Sequence, residues 1–122
     1  MAYMTDRRTR PVTVAETALF LRQAAAVWDE AERFAFTDFI ARHPEAGDVI
    51  PGTGGVRKVR WSRSGSGRRG GVRVVYFFYD AEMPLYLLMV YAKSRRDDLS
   101  PDEKRATREL AARLKRTRRA GS

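Results

Sequence analysis

The sequence predicts an α+β fold, a small single domain in which helices pack on a β-sheet. Apolar residues recur at helical spacing between Thr17 and His43 and again after Ser100. Between those stretches, three runs rich in β-branched and aromatic residues read as strands: Val56 to Trp61, Val72 to Tyr79 and Leu85 to Lys93. Two helices stand before any extended sheet, and the composition of Val72 to Tyr79 suits a strand covered on at least one side by helices. At 122 residues there is material for one modest core and not for two. The expected organisation is a flexible basic N-terminal segment over residues 1–11, a folded domain over 12–116 and a frayed basic tail over 117–122.

Val12 to Glu16 alternates weakly and reads as a short first strand, after which Thr17 opens a helix carrying Phe20, Leu21, Ala24 and Trp28. Asp29 then caps a second helix. Glu32 stands where a capping box needs it, Phe36, Phe39 and Ile40 form a buried stripe, and Pro44 stops the helix by lacking a backbone donor. Pro51 to Gly55 is turn chemistry. In the strand that follows, Val59 and Trp61 point one way and Lys58 and Arg60 the other. Val72 to Tyr79 is apolar on both faces, which suits a central strand, and it turns at Met83-Pro84 into Leu85 to Lys93 as a hairpin. The last helix has Ser100 as N-cap, Pro101 in the first helical position, Asp102 at the positive end of the dipole and Glu103 closing a capping box. Ala106, Leu110 and Leu114 line its expected inner face.

Charge is the strongest functional signal. Lys and Arg number 24 against 15 Asp and Glu, a formal net charge of +9, and a field of that sign attracts RNA, DNA or anionic membranes. It is also concentrated: between Val49 and Tyr79 lie Arg57, Lys58, Arg60, Arg63, Arg68, Arg69 and Arg73, seven glycines and no acidic residue. Two strands hold most of these cations at fixed separations, and the intervening glycine and serine loop, with Arg63, Arg68 and Arg69, reads as a basic arm whose backbone approaches phosphate closely.

Several other chemistries are excluded. Without cysteine there is neither a disulfide framework nor a thiolate metal site, which suits a reducing cytoplasm. No signal-peptide apolar region follows the basic N-terminus. The longest apolar run, Leu85 to Ala92, falls well short of the roughly 20 residues of a membrane span, so a soluble protein with no membrane partner is expected. Gly65-Ser-Gly67-Arg-Arg-Gly70 matches the letters of GxGxxG but feeds a strand, whereas a dinucleotide site needs the turn to open a helix. His43 is the single histidine, placed at a helix end, and no His and carboxylate cluster or serine-histidine-acid set accompanies it. No metal or cofactor is expected, and any enzyme chemistry falls to lysine and arginine. The aromatics Trp61, Tyr76 to Tyr79 and Tyr86 read as core, while Tyr91, two residues before Lys93, is a candidate to stack on a base or bond a phosphate.

The run Gly47-Asp-Val-Ile-Pro-Gly-Thr-Gly-Gly-Val-Arg-Lys-Val-Arg60, the segment Gly67 to Tyr76, Leu87 to Lys93, and Asp98-Leu-Ser100 ahead of the final helix together resemble the RelE/ParE superfamily of toxins, specifically its HigB-like branch. The likeness covers roughly Ala31 to Leu114. It implies helices packed on a twisted antiparallel sheet, a toxin of a type II toxin-antitoxin system that cleaves mRNA on the ribosome and so blocks translation, and a cognate helix-turn-helix antitoxin. On that resemblance Arg73 is similar to the strand arginine that clamps phosphate, Lys58 and Arg60 to the basic pair on the preceding strand, and Lys93 to the basic residue after the last strand. The expected catalytic set is Lys58, Arg60, Arg73 and Lys93. Arg73 and Arg60 would hold the scissile phosphate, Lys58 or Lys93 would take part in proton transfer, and Arg57, Arg63, Arg68, Arg69 and Tyr91 would bind RNA. Some relatives use a tyrosine in the C-terminal region, whereas this chain has none after Lys93. The alternatives are a noncatalytic RNA- or ribosome-binding protein of the same fold and a gyrase-poisoning toxin of the ParE type.

Overall fold

A computed structural model describes residues 10–62 and 71–121. In chain order the elements are β1 (Val14–Glu16), α1 (Ala18–Val27), α2 (Glu30–Arg42), β2 (Asp48–Val49), β3 (Val56–Trp61), β4 (Val72–Phe77), β5 (Leu85–Ala92) and α3 (Pro101–Gly121). The five strands form one sheet in the order β1-β5-β4-β3-β2. From β2 to β5 every pairing is antiparallel, as expected, but β1 joins β5 in parallel, so the sheet is mixed. A parallel neighbour needs a long crossover, and the whole chain between β1 and β5 supplies it.

Local chemistry starts each helix. Thr17 Oγ1 accepts from Phe20 N at 3.3 Å and donates to Leu87 O at 2.8 Å, so one hydroxyl caps α1 and ties it to β5. Asp29 Oδ1 accepts from Glu32 N at 2.8 Å. Glu32 also reaches across to the sheet, where its Oε2 accepts from Trp61 Nε1 at 2.6 Å. At α3 the capping box is complete: Glu103 N donates to Ser100 Oγ at 3.1 Å and Ser100 N donates to Glu103 Oε1 at 2.9 Å.

The two faces of the sheet bury different things. Against α1 and α2 lie Val72, Val74, Tyr76, Leu85, Leu87 and Val90, sealed by Phe20, Phe36 and Ile40. Trp28 stacks on Phe36 with ring centroids 5.5 Å apart, and Trp61 meets Phe36 edge-on at 5.3 Å. Against α3 lie Val56, Val75, Phe77, Leu88, Met89 and Tyr91, with Leu99 and Ala111. The expected inner stripe of α3 shifts by one position: Thr107 and Ala111 are buried, Leu110 and Leu114 are partly so, and Ala106 is exposed. Small side chains at 107 and 111 let the helix backbone lie close to the sheet, with the leucines flanking the contact.

One irregularity sets which residues of β5 face α3. The register between β4 and β5 slips between Val75, opposite Met89, and Tyr76, opposite Leu87, leaving Leu88 as the extra residue. A bulge reverses the inside-outside alternation beyond it. Leu85 and Leu87 therefore face α1 and α2 before the bulge, and Met89 and Tyr91 face α3 after it. Past the end of β1 the outer edge of β5 is covered by Gln23, whose Oε1 accepts from Val90 N at 3.0 Å.

Candidate phosphate-binding basin

α3 crosses only part of its face. At its C-terminal end Arg118 pairs with Asp80 at 3.3 Å and Glu82 at 2.9 Å, and Lys115 Nζ donates to Gly54 O at 2.9 Å. Those anchors draw the helix over the Val56 and Phe77 end of the sheet. At the other end, where β3 finishes and β4 begins, no helix among the described residues lies above the sheet, and there a basin of about 510 Å³ opens, lined by Ala46, Asp48, Lys58, Val59, Arg60, Arg73 and Asp97.

Strand geometry puts the cations there. Arg60 stands directly opposite Arg73, and Arg73 directly opposite Tyr91, so the three form one row across β3, β4 and β5. Lys58, two residues from Arg60, shares its face by the period of the strand. Arg73 is 7% exposed, so its guanidinium sits among acceptors rather than in open solvent. Its Nη1 donates to Val72 O at 3.5 Å, and its Nη2 lies 3.8 Å from Asp97 Oδ1. Lys58 Nζ donates to Asp97 O at 3.2 Å and to Asp98 Oδ1 at 3.3 Å. The Leu99 backbone N–H, and after it Lys58, hold the Asp98 carboxyl below the usual aspartate range.

The loop that carries these acids is fixed on both sides. Before them, the Arg96 guanidinium lies 4.4 Å from the centre of the Tyr91 ring and grips Glu103 at 2.6 and 3.1 Å. After them, Leu99 is buried against the α3 side of the sheet. That Arg96 bond lowers the Glu103 carboxyl, with help from the capping bond to Ser100, and Glu103 in turn raises Arg96. Burial pushes the Tyr91 phenol up, and its hydroxyl donates to Asp97 O at 3.5 Å.

The far wall of the basin hangs on a buried tyrosine. Tyr76, fully enclosed, donates to Pro44 O at 2.8 Å and accepts from Gly47 N at 2.8 Å, and burial raises its phenol. Gly47 packs so tightly there that a Cβ would lie 2.8 Å from Lys58 O. Arg57 helps from the same side, donating to Gly47 O at 2.7 Å and Glu45 O at 3.4 Å.

The expected site residues divide accordingly. Lys58, Arg60 and Arg73 line the basin together. Tyr91 ends their row and holds the acidic loop. Arg57 is on the opposite face of β3, bonded to the Glu45 and Gly47 carbonyls. Lys93, just past β5, is exposed and outside the lining, its backbone N–H donating to Gly71 O at 3.1 Å. Arg63, Arg68 and Arg69 lie outside the described residues. Asp48, Asp97 and Asp98 were not among the expected site residues, and the local pattern around them shows little reason to expect them, because Lys58 meets Asp98 across forty positions of sequence.

A cleft of about 860 Å³ adjoins the basin at Ala46 and is larger, but it is mainly apolar, lined by Phe39, His43, Pro44 and Phe78, with Arg42 the one cation among the described residues of its wall. The His43 N–H caps α2 by donating to Phe39 O at 3.0 Å, and its ring packs on Phe39. Charge convergence, not cleft size, makes the basin the candidate site. Among the described residues no group of three or more His, Asp or Glu is placed to hold a metal ion, and no helix is long and apolar enough to cross a membrane.

A family model described as the RelE toxin of the RelE/RelB toxin-antitoxin system matches residues 47–121. The chain belongs to the RelE toxin family. The matched span runs from Gly47 through β3, β4 and β5 to the end of α3, and so contains the basin cations and the acidic loop. Membership makes the protein a toxin of a toxin-antitoxin system and implies an antitoxin partner. α1 and α2 lie before the matched span and supply the core that backs the sheet.

Proposed function

We propose that this RelE-family toxin is a metal-independent endoribonuclease that cleaves mRNA on the ribosome in the cytoplasm, a HigB-like member held in check by a helix-turn-helix antitoxin. The observation that carries the reading is the direct pairing of Arg60 with Arg73, with Lys58 on the same face, around one open basin. Two arginines paired across neighbouring strands can offer their guanidiniums to the paired oxygens of one phosphodiester.

In the proposed reaction a ribose 2′-oxygen attacks the adjacent phosphorus as its proton leaves, the bond from phosphorus to the 5′-oxygen breaks, and that oxygen gains a proton. The products are a 2′,3′-cyclic phosphate and a free 5′-hydroxyl. Arg60 and Arg73 stabilise the charge that grows on the phosphoryl oxygens. Lys58, at the basin wall, is the candidate for proton transfer. Lys93 and the loop arginines Arg63, Arg68 and Arg69 engage flanking RNA, while Arg57 and Tyr91 position the basin walls.

Pulse expression in bacteria lacking the antitoxin, with mapping of RNA 5′ ends, tests the proposal. The expected result is growth arrest with new ends inside translated frames. Intact messages with arrested DNA replication would replace it with gyrase poisoning, and intact messages with normal growth would leave a noncatalytic RNA-binding module.

A further inference from the structure

The protein carries a formal charge of +9, yet its basin is not purely basic. Among the described residues, Lys58, Arg60 and Arg73 share the lining with Asp48 and Asp97, and Asp98 pairs with Lys58 beside it. Two of those acids sit on a loop whose Arg96 and Leu99 are both anchored, so the carboxylates are presented at a set height over the strands. Asp98 is committed, since its Oδ1 accepts from both Leu99 N and Lys58 Nζ. Asp97 is different: its side chain is 71% exposed, and its carboxylate makes a loose 3.8 Å pair with Arg73.

From this contrast we infer that Asp97 is a built-in stand-in for phosphate, a carboxylate that holds the Arg73 guanidinium in the free toxin and is displaced when a phosphodiester enters. The inference rests on the reading of the basin as a phosphate site. A carboxylate and a phosphodiester each present paired anionic oxygens to the same fork. Turning one exposed side chain breaks the Asp97–Arg73 pair without opening the loop, because Lys58 bonds the Asp97 backbone oxygen and Tyr91 reaches the same atom. The expected consequences are weaker binding of stray polyanions off the ribosome and an Arg73 kept oriented for the correct one.

Anisotropy with a fluorescent, 2′-O-methylated RNA pentamer, which cannot be cleaved at its sugars, tests this on the full chain at fixed salt. Asp97→Asn removes the charge and keeps the shape, and should tighten binding by roughly three- to tenfold. Arg73→Met should weaken binding and erase the gain in the double variant. An unchanged or weaker affinity for Asp97→Asn, or a gain that persists without Arg73, would overturn the inference while leaving the basin in place. Should Arg73→Met and Arg60→Met, each with a native melt, both bind like the wild type, the basin reading itself falls and the inference with it. Asp97→Ser gives the same comparison if the asparagine variant misfolds.

Discussion

The two faces of the sheet solve opposite problems. Against α1 and α2 the burial is continuous, from Leu85 at one end to the aromatic cluster of Trp28, Phe36 and Trp61 at the other. Against α3 it stops partway: Val56, Val75 and Phe77 are covered, whereas Arg60 and the neighbouring end of β3 and β4 face the open basin. Strands two-sided in their burial make a rigid platform, and a site built on such a platform is more precise than one built on loops. The closed face therefore carries the stability, and the half-open face is where the proposed chemistry would take place.

Cutting into the closed face should cost the most. Phe36→Ala removes a fully buried ring at the centre of the cluster and should destabilise the protein by about 3–5 kcal/mol in chemical denaturation. Because the basin sits on the far side of the sheet, RNA binding measured below the lowered melting temperature should stay near the wild-type value. A large affinity loss in a still-folded variant would mean that the faces are not separable.

Tyr76 joins the two faces, since its ring is in the closed core and its hydroxyl holds the Pro44–Gly47 wall. Tyr76→Phe leaves two backbone groups without their partner and should cost about 1–3 kcal/mol. Unlike Phe36→Ala, it should also weaken RNA binding, by letting the Ala46 wall move.

The smallest effect belongs to the junction of α3 with the acidic loop. Glu103 has a lowered carboxyl, so its bonds to Arg96 and Ser100 contribute stability that is fully present above the unfolded value near 4.5 and is lost as pH falls through the lower folded value. The melting temperature of the wild type should drop over that window, and Glu103→Gln should flatten the drop. Equal slopes for the two proteins would remove Glu103 from the account of acid sensitivity.

Local rules made much of this readable in advance. Ser100-Pro101-Asp102-Glu103 announced α3 because a capping box satisfies its own backbone groups, whatever surrounds it. Alternation in β3 separated Lys58 and Arg60 from Val59 and Trp61 because the strand period is two. Nonlocal features stayed hidden. Nothing near Leu88 signals the bulge, and nothing near Val14 shows that β1 will lie parallel to β5, since both follow from how distant segments pack. Asp97 and Asp98 look like an ordinary polar approach to a helix, and only the folded chain brings them to Lys58 and Arg73. Arg57 looks like one more cation for RNA until its parity places it on the other side of the strand.

In the proposed reaction Arg60 and Arg73 act on one phosphate. Single-turnover cleavage of ribosome-bound mRNA by Arg60→Met, Arg73→Met and the double variant tests it most directly. Each single change should slow cleavage by about 10²-fold or more, and the double should lose much less than the product of the two, because a clamp with one arm gone has little left to lose. Single variants that cut at the wild-type rate, or losses that multiply in full, would contradict a shared phosphate clamp.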